Sequence, residues 1–251
     1  MNTPAGRSPQ PAKRGAVAGH RRRLPSRQGP QVTDRDVEIL GWIGRHGVVT
    51  PAQVARHFFT RDDGAVGLWA AYRRLRKLEE LALVRQDRTF WREANVLRLT
   101  GAGARLADID VGPARLVLAE LRHTLAVVDL VEALLEESPN GTELRTEREL
   151  RIERRRELTD GKRTVGRGRV PDALLIHAKG AKVAIELDLT PKRARDLERI
   201  LIAYLQERYD RIVWYVMPRQ QERLQEIVRK QRADDVVEVR AWQGPSTTGK
   251  V

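Results

Sequence analysis

Apolar residues recur at helical spacing through the first third of the chain. Val37, Leu40 and Ile43, with Trp42 adjacent, follow the capping pair Thr33 and Asp36, which predicts a helix over 34–45 that ends at Gly47. Thr50-Pro51, an N-cap followed by proline at the first helical position, starts a second short helix carrying Val54 and Phe58. A glycine-containing loop over 61–67 leads to a third helix over 68–81. Its apolar stripe is read as Trp69, Tyr72, Leu75, Leu78 and Leu81, with Arg73, Arg74, Arg76 and Lys77 on or near the exposed side. That reading places Trp69 and Tyr72 in the core. A hairpin with strands 83–87 and 96–99 follows, and Leu99-Thr100-Gly101 opens a short helix ending near Ala107. Three helices, the last of them basic, and then a hairpin with the basic, aromatic tip Arg88 to Arg92 make the layout of a winged helix-turn-helix.

Gly112-Pro113 marks a boundary. Beyond it, Leu121, Leu125, Val128, Val131 and Leu135 predict a helix over 116–136 that Pro139-Asn140-Gly141 terminates, with His123 early in it as a packed or solvated residue. Residues 143–156 read as a strand with a charged, irregular end. A basic loop carrying Arg163, Arg167 and Arg169 leads into two short strands: Ala173 to Ile176, and a second beginning at Lys182. Thr190-Pro191 is read as the start of a helix of about eighteen residues. Residues 212–217 then form a buried strand, Pro218 begins a helix with Leu224, Ile227 and Val228 inward, and residues 236–242 form a last strand. The expected organisation is a basic tail (1–30), a winged helix-turn-helix (31–111), a second domain (113–243) and a short tail (244–251).

Charge adds a partner to this picture. With 47 Lys plus Arg against 34 Asp plus Glu, the 251-residue chain carries +13, which favours a polyanion, nucleic acid first. Seven of those charges lie in residues 1–30, whose lack of bulky apolar side chains predicts disorder and non-specific phosphate affinity. The absence of cysteine excludes disulfides and thiolate metal sites and fits a reducing cytoplasm. No apolar run is long enough for a membrane span.

The candidate chemistry lies in residues 169–192. Strand alternation places Lys182, Ala184, Glu186 and Asp188 on one face and Val183, Ile185, Leu187 and Leu189 on the other, while Asp172 opens the neighbouring strand. Three acids on adjacent apolar strands call for a positive partner, and a Mg²⁺ ion, with Mn²⁺ as substitute, suits an all-oxygen set for phosphodiester hydrolysis. Solvated strand ends explain the same residues without a metal.

Pro171-Asp172, then Glu186, Leu187 and an acid, resembles the motif of the PD-(D/E)xK nuclease superfamily. The lysine normally found two residues after the second acid is replaced by Asp188, and Lys182 or Lys192 would have to supply its charge. The body from Val32 to Trp242 also resembles the replication-relaxation family. The likeness is carried by Leu99-Thr100-Gly101-Ala102-Gly103, the helix with His123, VPDALL and AIELDLTPK. This resemblance implies an α/β (α+β overall) fold, with the winged helix followed by a restriction-endonuclease-like mixed sheet flanked by helices. It also implies a DNA-binding role in plasmid or mobile-element replication or relaxation. Asp172, Glu186 and Asp188 are then the metal and catalytic candidates with Lys182 and Lys192. Arg73, Arg74, Arg76, Lys77, Arg88, Arg92, Arg163 and Arg167 are the DNA-binding candidates. Double-stranded DNA is the expected partner, with a replication protein and a second copy of the chain as further candidates. Three functions remain open: a DNA-binding replication protein with a non-catalytic nuclease-like half, a Mg-dependent endonuclease or nickase, and a winged-helix transcriptional regulator.

Overall fold

The computed structural model describes residues 31–90, 93–159, 169–207 and 209–244. The basic tail 1–30, Arg92, Arg163 and Arg167 lie outside them.

Helices α1 (Asp34–His46), α2 (Pro51–Phe58) and α3 (Leu68–Glu80) form the first layer, followed by hairpin strands β1 (Val84–Asp87) and β2 (Val96–Leu99) and helix α4 (Gly101–Leu106). The caps fall where the sequence puts them: Asp36 accepts the Thr33 backbone N–H at 2.6 Å, and Gln53 pairs with Thr50 at the start of α2. Gly47 caps α1 at φ 86°, in the left-handed region that glycine enters without strain. Val49 exchanges two backbone hydrogen bonds with Leu97, adding a third short strand segment to the hairpin. Helix α4 packs so closely on the hairpin that a Cβ on Gly103 would stand 2.1 Å from the Leu83 carbonyl oxygen, which leaves room only for glycine. Ile39, Leu40, Ile43, Val54, Leu75, Leu78 and Leu97 make the core of this half.

The second half is built on a five-stranded mixed sheet in the order β3 (Glu143–Thr146), β4 (Ala173–Ile176), β5 (Lys182–Asp188), β6 (Arg211–Val216) and β7 (Val237–Ala241). The pairs β3–β4 and β4–β5 are antiparallel, and β5–β6 and β6–β7 parallel. Helix α5 (Leu121–Glu137) covers one face, against Ala173, Leu175, Ile185 and Leu187. Helices α7 (Ala194–Leu205) and α8 (Pro218–Lys230) cover the other, against Leu174, Ala184, Trp214 and Val216. A sheet sealed on both faces explains why β6 reads as an unbroken apolar run.

Two elements differ from the sequence reading. Residues 147–156, expected to continue the strand, lie instead in helix α6 (Glu147–Thr159). They are mostly good helix formers with acids in the first turn, and Arg151 donates to Glu147 at 2.6 Å one turn away. Helix α7 starts at Ala194, after an Arg193 cap, instead of at Thr190-Pro191, and has 12 residues.

The described body from Val32 onward is one compact unit, and charged contacts tie its two layers. From α5, Glu132 accepts from Trp42 Nε1 at 3.0 Å and faces His46 at 3.3 Å and His57, while Gln53 donates to Asp129 at 3.0 Å. Burial alone would raise the Glu132 carboxyl, but the hydrogen bonds and charge of His46 and His57 hold it far below the usual range. Arg45 of α1 bonds Glu149 of α6 at 2.7 Å and also donates to the Leu144 carbonyl of β3.

Candidate nucleic-acid interface and the acidic cluster

Helix α3 buries Ala71, Leu75 and Leu78 and turns Arg73, Arg76 and Lys77 to solvent. At about 100° per residue, positions 69, 72, 73, 76, 77 and 80 share an arc of roughly 140° on the side away from the core. Trp69 is 87% exposed and Tyr72 41%, so the apolar stripe expected to include them is corrected: Ala71 takes the inward position, and the two aromatic rings stand in solvent. Arg76 makes an exposed ion pair with Glu80 at 3.3 Å. Arg74 is the exception among the basic residues. It points inward and forms a two-pronged contact with Asp36, which is 1% exposed, so it holds α3 to α1 and does not face a duplex. Arg88 is exposed at the hairpin tip.

The three acids are handled separately. Glu186 is 2% exposed on the α7 face; Arg169 Nη2 donates to its Oε1 at 2.7 Å, and the Tyr204 hydroxyl donates to its Oε2. Burial, and next the charge of Asp172, push the Glu186 carboxyl above the usual glutamate range. Asp172 Oδ2 accepts the Leu187 N–H at 2.8 Å, and its Oδ1 lies 3.1 Å from His123 Nε2 on α5. That hydrogen bond raises the His123 pKa in spite of burial, and the ring is a direct partner of Asp172 where the sequence suggested a packed or solvated residue. Asp188, the last residue of β5, is bound by Lys192 four residues on, in the loop before α7. Lys182 sits at the far end of β5, opposite Ile176, roughly 13 Å along the strand from Glu186 at about 3.3 Å per residue, and its charge does not reach the acids.

Among the described residues no group of three His, Cys, Asp or Glu side chains is placed to hold a metal ion. The donors present therefore do not fit the Mg²⁺ centre that the resemblance implies for Asp172, Glu186 and Asp188. The first faces α5, the second faces α7, and the third is neutralised by Lys192. A cavity of about 260 Å³ lies beside Asp172 and His123, lined by Arg115, Glu147, Arg148 and Arg151 among others. Burial raises the Glu147 carboxyl above its ordinary value. The pairing of His123 with Asp172, 49 residues apart, has no local sequence signal.

A three-helix module followed by a hairpin, joined to a five-stranded mixed sheet with helices on both faces, defines a mixed α/β protein. The chain belongs to the replication-relaxation family, whose profile matches residues 40–213, well over half of its length. Membership points to a DNA-binding role connected with replication or relaxation. No curated protein matches the chain. Among solved structures, a zinc-responsive MarR family member, ZitR of Lactococcus lactis, is similar at 17% identity over 55% of this chain and 81% of that one, with a TM-score of 0.27, too low to carry an argument. Among the described residues no helix is long and apolar enough to cross a membrane.

Proposed function

We propose that the protein binds double-stranded DNA through α3 in the replication or relaxation of a plasmid or mobile element in the cytoplasm, and that its nuclease-like half is non-catalytic. The observation that carries this reading is the outward face of α3, where Arg73, Arg76 and Lys77 stand opposite the packed Ala71, Leu75 and Leu78. Cations on an exposed helix of this layout meet phosphates and fix the register of the duplex. Replacing Arg73, Arg76 and Lys77 with alanine is expected to weaken duplex binding about tenfold or more and to flatten its salt dependence by roughly one unit of slope per lost phosphate contact. Unchanged affinity and slope in the folded triple variant would end the assignment of α3.

The non-catalytic half of the reading rests on the charge balance of the acids, each held by a donor or cation of the chain itself. Asp188, standing where a lysine would assist an attacking water, adds negative charge where negative charge must be stabilised. Supercoiled plasmid incubated with the protein and Mg²⁺ or Mn²⁺ is expected to stay uncut. Metal-dependent nicking that Asp172→Ala or Glu186→Ala abolishes would instead establish the endonuclease reading, which the electrostatic proximity of Asp172 and Glu186 favours.

A further inference from the structure

We propose that Trp69 is the base-reading side chain of α3, resting against thymine C5-methyl groups in the major groove of a duplex that Arg73, Arg76 and Lys77 hold by its phosphates. The inference rests on the DNA-binding reading above and names how that same face acquires sequence preference.

Lysine and arginine contacts to phosphate position a protein on DNA but carry no sequence information; base edges must be read by something else. On the outward face of α3 the charged groups occupy the middle and last turns, and the first turn presents an indole that is 87% exposed. Residues at the N-terminal end of a recognition helix are the ones that reach base edges in helix-turn-helix modules, which is where Trp69 stands. Tyr72, one turn on and 41% exposed, widens the same apolar surface. The apolar group displayed in the major groove is the thymine methyl, and an aromatic body packs against it while the indole N–H remains free to donate to a base acceptor.

Charge decides between a duplex and a second copy of the chain as the occupant. Arg73, Arg76 and Lys77 surround the apolar patch with Glu80 as the acid on that arc, so two copies meeting here would bring like charges together. A polyanion carrying apolar methyl groups satisfies both parts of the face.

The test uses the full chain. A preferred duplex is selected from a random library, and each thymine is then replaced by deoxyuridine, which removes only the C5-methyl. Dissociation constants are measured at fixed salt and across a salt series for the parent, Trp69→Ala, Trp69→Phe and the Arg73→Ala/Lys77→Ala variant. The parent is expected to lose about tenfold on deoxyuridine replacement at one or two positions, within the range of a good base contact. Trp69→Ala should bind the thymine duplex about tenfold more weakly, ignore the replacement and keep the parental salt slope. Trp69→Phe should fall between, and the Arg73/Lys77 variant should weaken equally on both duplexes with a flatter slope. The inference is overturned if no preferred sequence emerges, if Trp69→Ala keeps parental affinity and deoxyuridine sensitivity, or if it only dissociates a dimer. A parent that binds no duplex at all would remove the DNA-binding reading itself, a result distinct from a parent that binds DNA without using Trp69.

Discussion

Replacing Arg169 with alanine is expected to destabilise the protein by about 3 kcal/mol at pH 8 and by clearly less at pH 5. Arg169 is the cation bonded to the buried Glu186, and without it the carboxylate keeps only the Tyr204 hydroxyl in a site closed to water. Because burial and Asp172 already raise the Glu186 carboxyl, the folded protein holds that proton more tightly than the unfolded chain. The stability from this group is complete below the ordinary glutamate range and is lost as pH rises through the folded value. Removing Arg169 moves that value higher, so the penalty grows towards neutral and alkaline pH and shrinks where Glu186 can take up a proton. Glu186→Gln in the same background should restore most of the loss, since a neutral amide has no uncompensated charge to bury. Urea unfolding of the parent, the single and the double variant at both pH values measures this. A penalty that is the same at pH 5 and pH 8 and that the second change leaves in place would refute the account.

Asp36→Ala should cost about 3 kcal/mol, or roughly 10 °C in melting temperature. Asp36 accepts both from Arg74 and from the Thr33 backbone at the start of α1, so one substitution takes a two-pronged carboxylate from a half-buried guanidinium and removes a helix cap. Burial would raise the Asp36 carboxyl, but the Arg74 and Thr33 hydrogen bonds outweigh it and hold the group below the usual aspartate range. Its contribution is therefore present above that range and disappears as pH falls through the folded value, so parent and variant should converge in acid. Arg74→Ala should likewise lower stability while leaving the salt slope of DNA binding unchanged. A slope reduced by Arg74→Ala with the melting temperature intact would contradict the placement of this side chain.

The contrast between Arg74 and its neighbours shows what periodicity resolves. Spacing alone separates Arg73, Arg76 and Lys77 from Leu75 and Leu78. The inward turn of Arg74 depends on an acid 38 residues upstream, and nothing local announces that pairing. Helices α1 and α2 were legible because their caps are local chemistry, and β4 to β7 because apolar runs between turn residues have few other readings. Helix α6 escaped because its apolar positions are few and its charges resemble a solvated strand end. Its alternating glutamates and arginines one turn apart were the overlooked signal. In the acidic region the residues were found and their relationships were not. Alternation put Glu186 and Asp188 on one face, but their partners, the cations Arg169 and Lys192 and the Tyr204 hydroxyl, follow from where loop and helix return to the sheet.

The contacts that run from Trp42, Gln53 and Arg45 to Glu132, Asp129 and Glu149 also bear on how this protein would occupy a chromosome or plasmid. Modules joined by a flexible linker search a volume around their anchor, and their local concentration is set by linker length. Here the first and second halves share one set of hydrogen bonds and ion pairs, so a duplex seated on α3, as proposed, would carry the sheet with it as a fixed attachment. The α7–α8 layer that covers the sheet would then be presented at one azimuth and one distance along the double helix. A companion protein that docks there would register helical phase, and shifting its own binding site by half a turn of DNA would place it on the wrong side.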